Sequence, residues 1–536
     1  MRGIVLEEPE LEFGAGGKHV DPRFGIRLHG PLDAATQRAP ERIRVGFVGP
    51  DADLSGARGW LQRAREPIAA KEAKTWRQAN LFPEFPGFNQ DQAFRSMLVF
   101  EERTQRPISA KVLRRLRGLT PAAAVQAAVE AYLAEIEWLA LNERCDVIVC
   151  TRPEVLDETA VSPEEVDEDE QVADTPPPLL PDFHDQLKAA ALRFGQPLQI
   201  MRPRTWGEKA KPPPGVKRRA VQDEATRAWN LHTALYYKAG GAPWRLVRSY
   251  ADTTTCYLGI SFYRSANQQS VHTSVAQLFN EKGEGMVVSG GPAAVLKDDR
   301  APHLSEADSH DLVTRALDAY RSEHLTFPAR LVVHKSSRFT AEERAGIEEA
   351  AEDARVDLVE LVWVSRQHPI RLFRHGERPP LRGTMLSLSR DRLLLYTKGS
   401  ISFYGTYPGM YIPTPLLLRP VEGTVDPGRL AAETLSLTKL NWNQSQLDGH
   451  LPITLQASAK VRARVSKCAA MPRMQPCVNA PLEALRVWRW RGSSMNTRSG
   501  GSFGSQPRAA PNASTPPRPS STSFFKVRRS RGPPLM

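Results

Sequence analysis

The sequence predicts an α/β protein with two sheets: a Rossmann-like parallel sheet in its first half and a mixed sheet with helical cover in its second. Three observations carry this. Strand-like and helix-like segments alternate as far as Thr151, as a parallel sheet requires. After Trp244 strands dominate, with helical patterns interleaved. After Lys467 apolar periodicity stops.

The elements follow in order. "RIRVGFVG" reads as a strand entering a Gly-Pro turn, and "LSGARGWLQRARE" as the helix after it. "RSMLVFEE" is a second strand. "PAAAVQAAVEAYLAEIEWLALN" has apolar residues at helical spacing, and "CDVIVCT" is continuously apolar, like a strand covered on both faces. Ten acids and no bases lie between Glu154 and Asp174, and Pro-Pro-Pro follows, so residues 154 to 180 or so read as a solvated insertion. The alternation resumes with the helix "DFHDQLKAAALRFG", the strand "PLQIMRP" and the helix "DEATRAWNLHTALYYKAGG". The later strands are "CYLGISF", "GEGMVVSG", "ARLVVHKS", "VDLVELVWVS", "RDRLLLYT" and "SISFYGTYPG", with helices "HDLVTRALDAYRSEH" and "TAEERAGIEEAAEDA" between them. These breaks give a first domain over 1–245, a second over 246–467 and a disordered basic tail over 468–536.

Charge says little about the folded body. The net charge is +12, but the tail holds 11 of the 72 Lys/Arg and one of the 60 acids, which is +10 of that total. Only local clusters can therefore argue for nucleic acid. The five cysteines form no C-x-x-C pair, which fits a reduced compartment without a structural zinc site. Met1 to Phe13 holds four acids and no apolar core of a signal peptide, and no apolar run approaches a membrane span. The expectation is a cytoplasmic protein without a membrane partner.

Three clusters could carry chemistry. "MRPRTWGEKAKPPPGVKRR" holds seven Lys/Arg against Glu208, just past a parallel strand, where α/β folds place ligands. Within it Trp206 suits base stacking, and Lys209 and Lys211 suit a phosphate. In "YYKAGGAPWRL", Lys238 suits either an anion or the C-terminal dipole of its own helix. "TCYLGISFYRS" and "VVHKSSRFT" end in Ser261 and Ser336, where a two-metal nuclease would need carboxylates. Arg264, Lys335 and Arg338 nearby suit a nucleic-acid backbone. A nuclease could draw acids from elsewhere, such as Glu281 or Glu284 with Asp298 or Asp299. "GFVGPDADLSG" lacks both G-x-G-x-x-G and Walker A spacing, which weighs against a nucleotide-binding enzyme.

Over residues 8 to 465 the chain resembles a short prokaryotic Argonaute, with MID and PIWI domains. The carriers are "ELEFGAGGKHVDPRFGIRLHGPLD", "NLFPEFPGF", "DEATRAWNLHTALYYKAGGAPWRL", "CYLGISFYRS", "VVHKSSRFT", "RLFRHGERPPLRGT", "YGTYPGMYIPTPLLL" and "LTKLNWNQSQLDGHLPIT". The resemblance implies a Rossmann-like MID domain and a ribonuclease H-like PIWI domain. It implies guide 5′-phosphate binding by Trp206, Lys209 or Lys211, Gln222 and Lys238. In some members a Mg²⁺ sits at that phosphate, helped by the chain's terminal carboxylate. Slicing members carry Asp where this chain has Ser261 and Ser336, and a further ligand falls near Gln456 to Ala459, which offers no acid or His. The implication is an inactive PIWI site without catalytic metal. The resemblance further implies a guide RNA, a complementary single-stranded DNA target and a separate APAZ-bearing effector. That effector would be a NAD hydrolase, sirtuin-like ahead of TIR, acting in antiviral defence.

Overall fold

The computed structural model describes residues 2–72, 80–158, 182–207, 221–247, 253–264, 271–273, 276–279, 285–288, 292–296, 298–366, 368–409, 412–421, 426–447 and 449–456. The acidic insertion from residue 159 onward, Lys209, Lys211, Glu281, Glu284 and the basic tail lie outside them, while the start of the insertion forms a short helix, Val155–Glu158, with Leu156 buried. Among the described residues no helix is long and apolar enough to cross a membrane.

The first sheet has four parallel strands in the order Met97–Pro107, Arg42–Gly49, Val147–Thr151, Leu198–Met201. Val147–Thr151 is buried at every residue, as its unbroken apolar run requires. Alternation sends Val45, Phe47 and Val149 to one face and Val48, Ile148 and Cys150 to the other. The first face packs on helices Asp51–Arg63 and Glu224–Lys238 through Trp60, Leu61, Trp229 and Leu235. The second packs on Pro121–Asn142 and Phe183–Ala190 through Ala128, Tyr132, Ile136 and Leu187. This sheet covered on both faces is the Rossmann-like layer that the alternation predicts.

The second sheet has nine strands among the described residues. Its order is Arg2–Val5, Thr384–Ser389, Arg392–Leu395, Leu416–Pro420, Leu358–Ser365, Arg330–Lys335, Thr255–Ile260, Ala276–Phe279, Gly285–Val288. Arg330–Lys335 runs parallel to both of its neighbours, and the other pairs are antiparallel. Helices Glu306–His324 and Ala341–Asp353 cover one face. Leu430, Leu435 and Leu437 of Pro427–Leu437 pack on the other.

Three expectations are corrected. The strand from Thr255 stops at Ile260; after Ser261 the chain enters a different sheet as Phe262–Arg264. "SISFYGTYPG" forms isolated bridges and turns, because its residues are drawn toward the N-terminal segment. Tyr404 donates to Asp21, and Phe403 packs edge-on against His19 and Phe24. The N-terminal segment is not confined to the first domain. Arg2–Val5 is an edge strand of the second sheet, and Glu8 ion-pairs with Arg382 and Lys439, each at 3.0 Å. Arg23, fully buried, bridges Asp21, the Leu81 carbonyl and Tyr404. One core cluster runs through both sheets.

Candidate nucleic-acid interface

The C-terminal edge of the parallel sheet holds the first site. Asp223 caps the helix Glu224–Lys238 by accepting from the Thr226 amide at 3.0 Å and its hydroxyl at 2.8 Å. At the other end Gly240, with φ +101°, takes a backbone conformation that glycine adopts at little cost, and the helix stops. Lys238 lies in the last turn. Its ammonium donates to the Gln199 side-chain oxygen at 2.5 Å, and Gln199 sits on the edge strand Leu198–Met201. A cation and a carboxamide are thus brought together across helix and strand. This pair can bind an anion: the ammonium supplies charge, and the amide NH₂ can add a donor.

The resemblance names Gln222, whereas the glutamine that the fold brings to Lys238 is Gln199, which the sequence reading did not single out. Gln222 precedes the opposite end of this 15-residue helix, roughly 20 Å from Lys238. Its side-chain oxygen accepts from Asn230 at 3.3 Å. The signal for Gln199 was a polar residue inside the otherwise apolar strand "LQIM". Trp206 follows the turn Pro203–Thr205 and is half-buried; its indole edge packs on Gly56 of the helix Asp51–Arg63. The second half of the chain reaches this helix too. Tyr237 donates to Asn443 at 2.7 Å, and the Ser445 amide and hydroxyl both donate to Asn230 at 2.8 Å.

At this edge Asp182, His184 and Asp185 bring ligand-type atoms within 4.8 Å of one another. Their chemistry suits a divalent cation. Asp182 is already the N-cap of its helix and lies 3.6 Å from Arg152, so the cluster has structural work of its own.

The second site is the C-terminal edge of the central parallel strands. Register pairs Lys335 with Ile260, so the next residues, Ser336 and Ser261, lie side by side. The Ser336 amide donates to the Ile260 carbonyl at 3.3 Å. Alternation places both serines on the face shared by Gly259 and His334. The turn Pro452–Gln456 closes over that face: Gly259 meets the Thr454 backbone, and His334 Nδ1 lies 2.9 Å from the Thr454 hydroxyl. Burial, with the field of Arg330, lowers the His334 pKa to about 4, so its imidazole is neutral at neutral pH. Two neutral hydroxyls at this edge cannot hold two divalent cations close together. Gln456 is buried, and residues 457 to 459 lie outside the described residues.

The neighbouring cations are differently placed from the expectation. Lys335 is buried, its ammonium held by Glu343 at 2.5 Å, and burial pushes it down to about 8 against the pull of that carboxylate. In this fold it is spent on Glu343 and not offered to a nucleic-acid backbone, because alternation turns it toward the helix Ala341–Asp353. Arg338 is half-exposed and pairs with Asp299 at 2.6 Å. Burial works weakly against ionised Asp299, yet bonds from the Ala301 amide, Arg338 and His303 hold it at about 2. Asp299 therefore serves this ion cluster, and Asp298 is exposed. Arg264 ends a described strand, and its side chain lies outside the described atoms.

No family model matches the sequence, and no curated protein matches it by sequence. Solved structures do match the fold. Clostridium butyricum Argonaute bound to a guide DNA (5′ deoxycytidine) and a 19-mer target DNA has a TM-score of 0.58 at 14% identity, covering 87% of this chain and 53% of that one. Two A. aeolicus Argonaute structures have TM-scores of 0.51. One, Aa-Ago with externally-bound siRNA, is 16% identical, covering 86% of this chain and 53% of that one. The other is 15% identical, covering 86% and 52%. The fold is thus Argonaute-like, and the chain spans about half the length of the structures it matches.

Proposed function

We propose that this chain is the guide-dependent recognition subunit of a prokaryotic defence system, and that it does not cut. It takes a 5′-phosphorylated small guide RNA, captures complementary single-stranded DNA of an invader, and activates an APAZ-bearing partner that depletes NAD. A sirtuin-like effector is preferred over a TIR effector. Base pairing supplies the sequence specificity while the protein grips backbones. The observation that carries the reading is the adjacency of Ser261 and Ser336, in a fold whose solved neighbours include a guide- and target-bound Argonaute.

The parts have separate tasks. Lys238, with Gln199 beside it, supports the guide phosphate by a charge-assisted contact. Arg202 and Arg204, half-buried in the turn after the strand, add positive charge on that side. A Mg²⁺ at the phosphate would need anionic oxygens. Lys238 and Gln199 supply an ammonium and a carboxamide, which do not make a Mg²⁺ site by themselves, so no step is assigned to a metal.

The test is incubation of guide-loaded protein with labelled complementary DNA and Mg²⁺ or Mn²⁺ in a nuclease-free preparation. Guide-dependent capture without product is expected. A guide-dependent product overturns the inactive assignment, and absence of guide-dependent capture overturns recognition. Co-expression with an APAZ-bearing neighbour, followed by NAD measurement after target addition, tests the effector step.

A further inference from the structure

The second sheet carries a basic row that neither site uses. In Leu358–Ser365, Leu416–Pro420 and Arg392–Leu395, alternate residues Val362, Val364, Leu416, Leu418, Leu393 and Leu395 enter the core. The residues between them face the other way. Trp363 pairs directly with Arg419, whose guanidinium lies 4.5 Å from the indole centroid. Leu393 pairs with Leu418, so extending the register by one residue sets Arg392 beside Arg419. All three side chains are half-buried.

This row has donors to spare. Trp363 Nε1, Arg419 Nε and Arg392 Nε are each buried and meet no hydrogen-bond partner among the described residues. Unpaired buried donors are costly, and three in one cross-strand row call for an acceptor. The loop after the central strand adds to the patch. Arg371 turns back to the His368 and Ile370 carbonyls. Burial and the fields of Arg392, Arg371 and Arg419 hold His368 below its ordinary value, so these cations act on one place. Asp391, exposed and bonded by Ser389 at 2.7 Å, is an acid in range of Arg392 and Arg419. It faces solvent and leaves the orphaned donors unmatched.

We propose that this row, Trp363, Arg419 and Arg392 with Arg371, is a second phosphate-binding surface, which takes the backbone of a single-stranded nucleic acid. The row crosses three adjacent strands, roughly 10 Å, which is longer than one phosphate. Phe373, 77% exposed, rides on the same loop as Arg371 and offers a face for base stacking. The anion site stands on the orphaned donors; its assignment to nucleic acid rests on the function proposed above.

The test uses the full chain with Arg392→Gln and Arg419→Gln combined. Binding of 5′-phosphorylated and 5′-hydroxyl single strands is measured over a salt series. The double variant is expected to weaken both by the same factor, about tenfold or more. It should flatten the salt slope by about 1.4, at about 0.7 per lost phosphate contact. Preference for the 5′ phosphate stays intact. A folded double variant with wild-type affinity and slope overturns the proposal while leaving guide recognition standing; an acidic protein as the true ligand would give that result. A second arm uses tripolyphosphate and thermal melting. If the wild type binds no nucleic acid but is stabilised by tripolyphosphate and the variant is not, the anion site holds and the guide reading fails. If tripolyphosphate stabilises neither, and no strand binds, both fail. Should the double variant not fold, Arg371→Gln is read in the same way.

Discussion

Replacing Lys238 by Ala separates an anion contact from a helix cap. The structure gives the lysine both opportunities: it lies in the last turn of Glu224–Lys238, and its ammonium reaches Gln199. A cation at a helix C-terminus contributes about 0.3–1 kcal/mol, felt as stability. A charge-assisted contact to a guide phosphate contributes about 1.5–3 kcal/mol, felt as affinity, which is roughly ten- to hundredfold. The assay is guide binding by anisotropy, comparing 5′-phosphorylated with 5′-hydroxyl strands for the wild type, Lys238→Ala, Gln199→Ala and Gln222→Ala. Lys238→Ala should cut the phosphate preference by that factor. Gln199→Ala should cut it less, because it removes a neutral partner that also orients the ammonium. Gln222→Ala should leave it unchanged, since that side chain pairs with Asn230, about two helical turns from Lys238. An undiminished phosphate preference in Lys238→Ala, with only a small loss of stability, would reduce Lys238 to a cap. A larger loss in Gln222→Ala than in Gln199→Ala would refute the site geometry.

Other perturbations follow from packing and charge. Gly259→Ala drives a Cβ into the Thr454 backbone, with even the Thr454 Cβ at 2.9 Å, and should cost about 1–3 kcal/mol in urea unfolding; an unchanged midpoint would show that the turn over the serines yields freely. His232 and His334 are fully buried, and burial lowers both to about 4. A folded pKa below the unfolded value of about 6.5 means stability is intact above that pH and lost as pH falls toward 4, by at most about 3 kcal/mol per histidine. His232→Gln should therefore reduce the difference between urea midpoints at pH 7 and pH 4.5, and an identical difference would remove His232 from the acid response. Truncation after Lys467 removes +10 of charge and should flatten the salt dependence of strand binding while preserving matched-over-mismatched discrimination. Loss of discrimination in a folded truncation would assign the tail to recognition.

Much of this protein was legible without coordinates. The continuous apolar run at 147–151 announced a strand buried on both faces, and the Ala-rich stretch at 121–142 announced its covering helix, because local periodicity reports which faces are dry. Ser261 and Ser336 were visible as hydroxyls at strand ends, because residue identity alone says what a side chain can ligate. Other features required the register of distant strands. The family resemblance pointed to Gln222 for the site of Lys238, and the edge strand brought Gln199 beside it. Arg2–Val5 joined a strand almost four hundred residues away, which no local pattern encodes. Lys335 looked like a backbone-binding cation until alternation turned it onto Glu343. Arg392 and Arg419 are unremarkable in sequence and become neighbours only because two antiparallel strands align them. Periodicity is a property of one segment and can be read from it, whereas a site is a meeting of segments. Which segments meet is decided by burying the whole apolar surface at once.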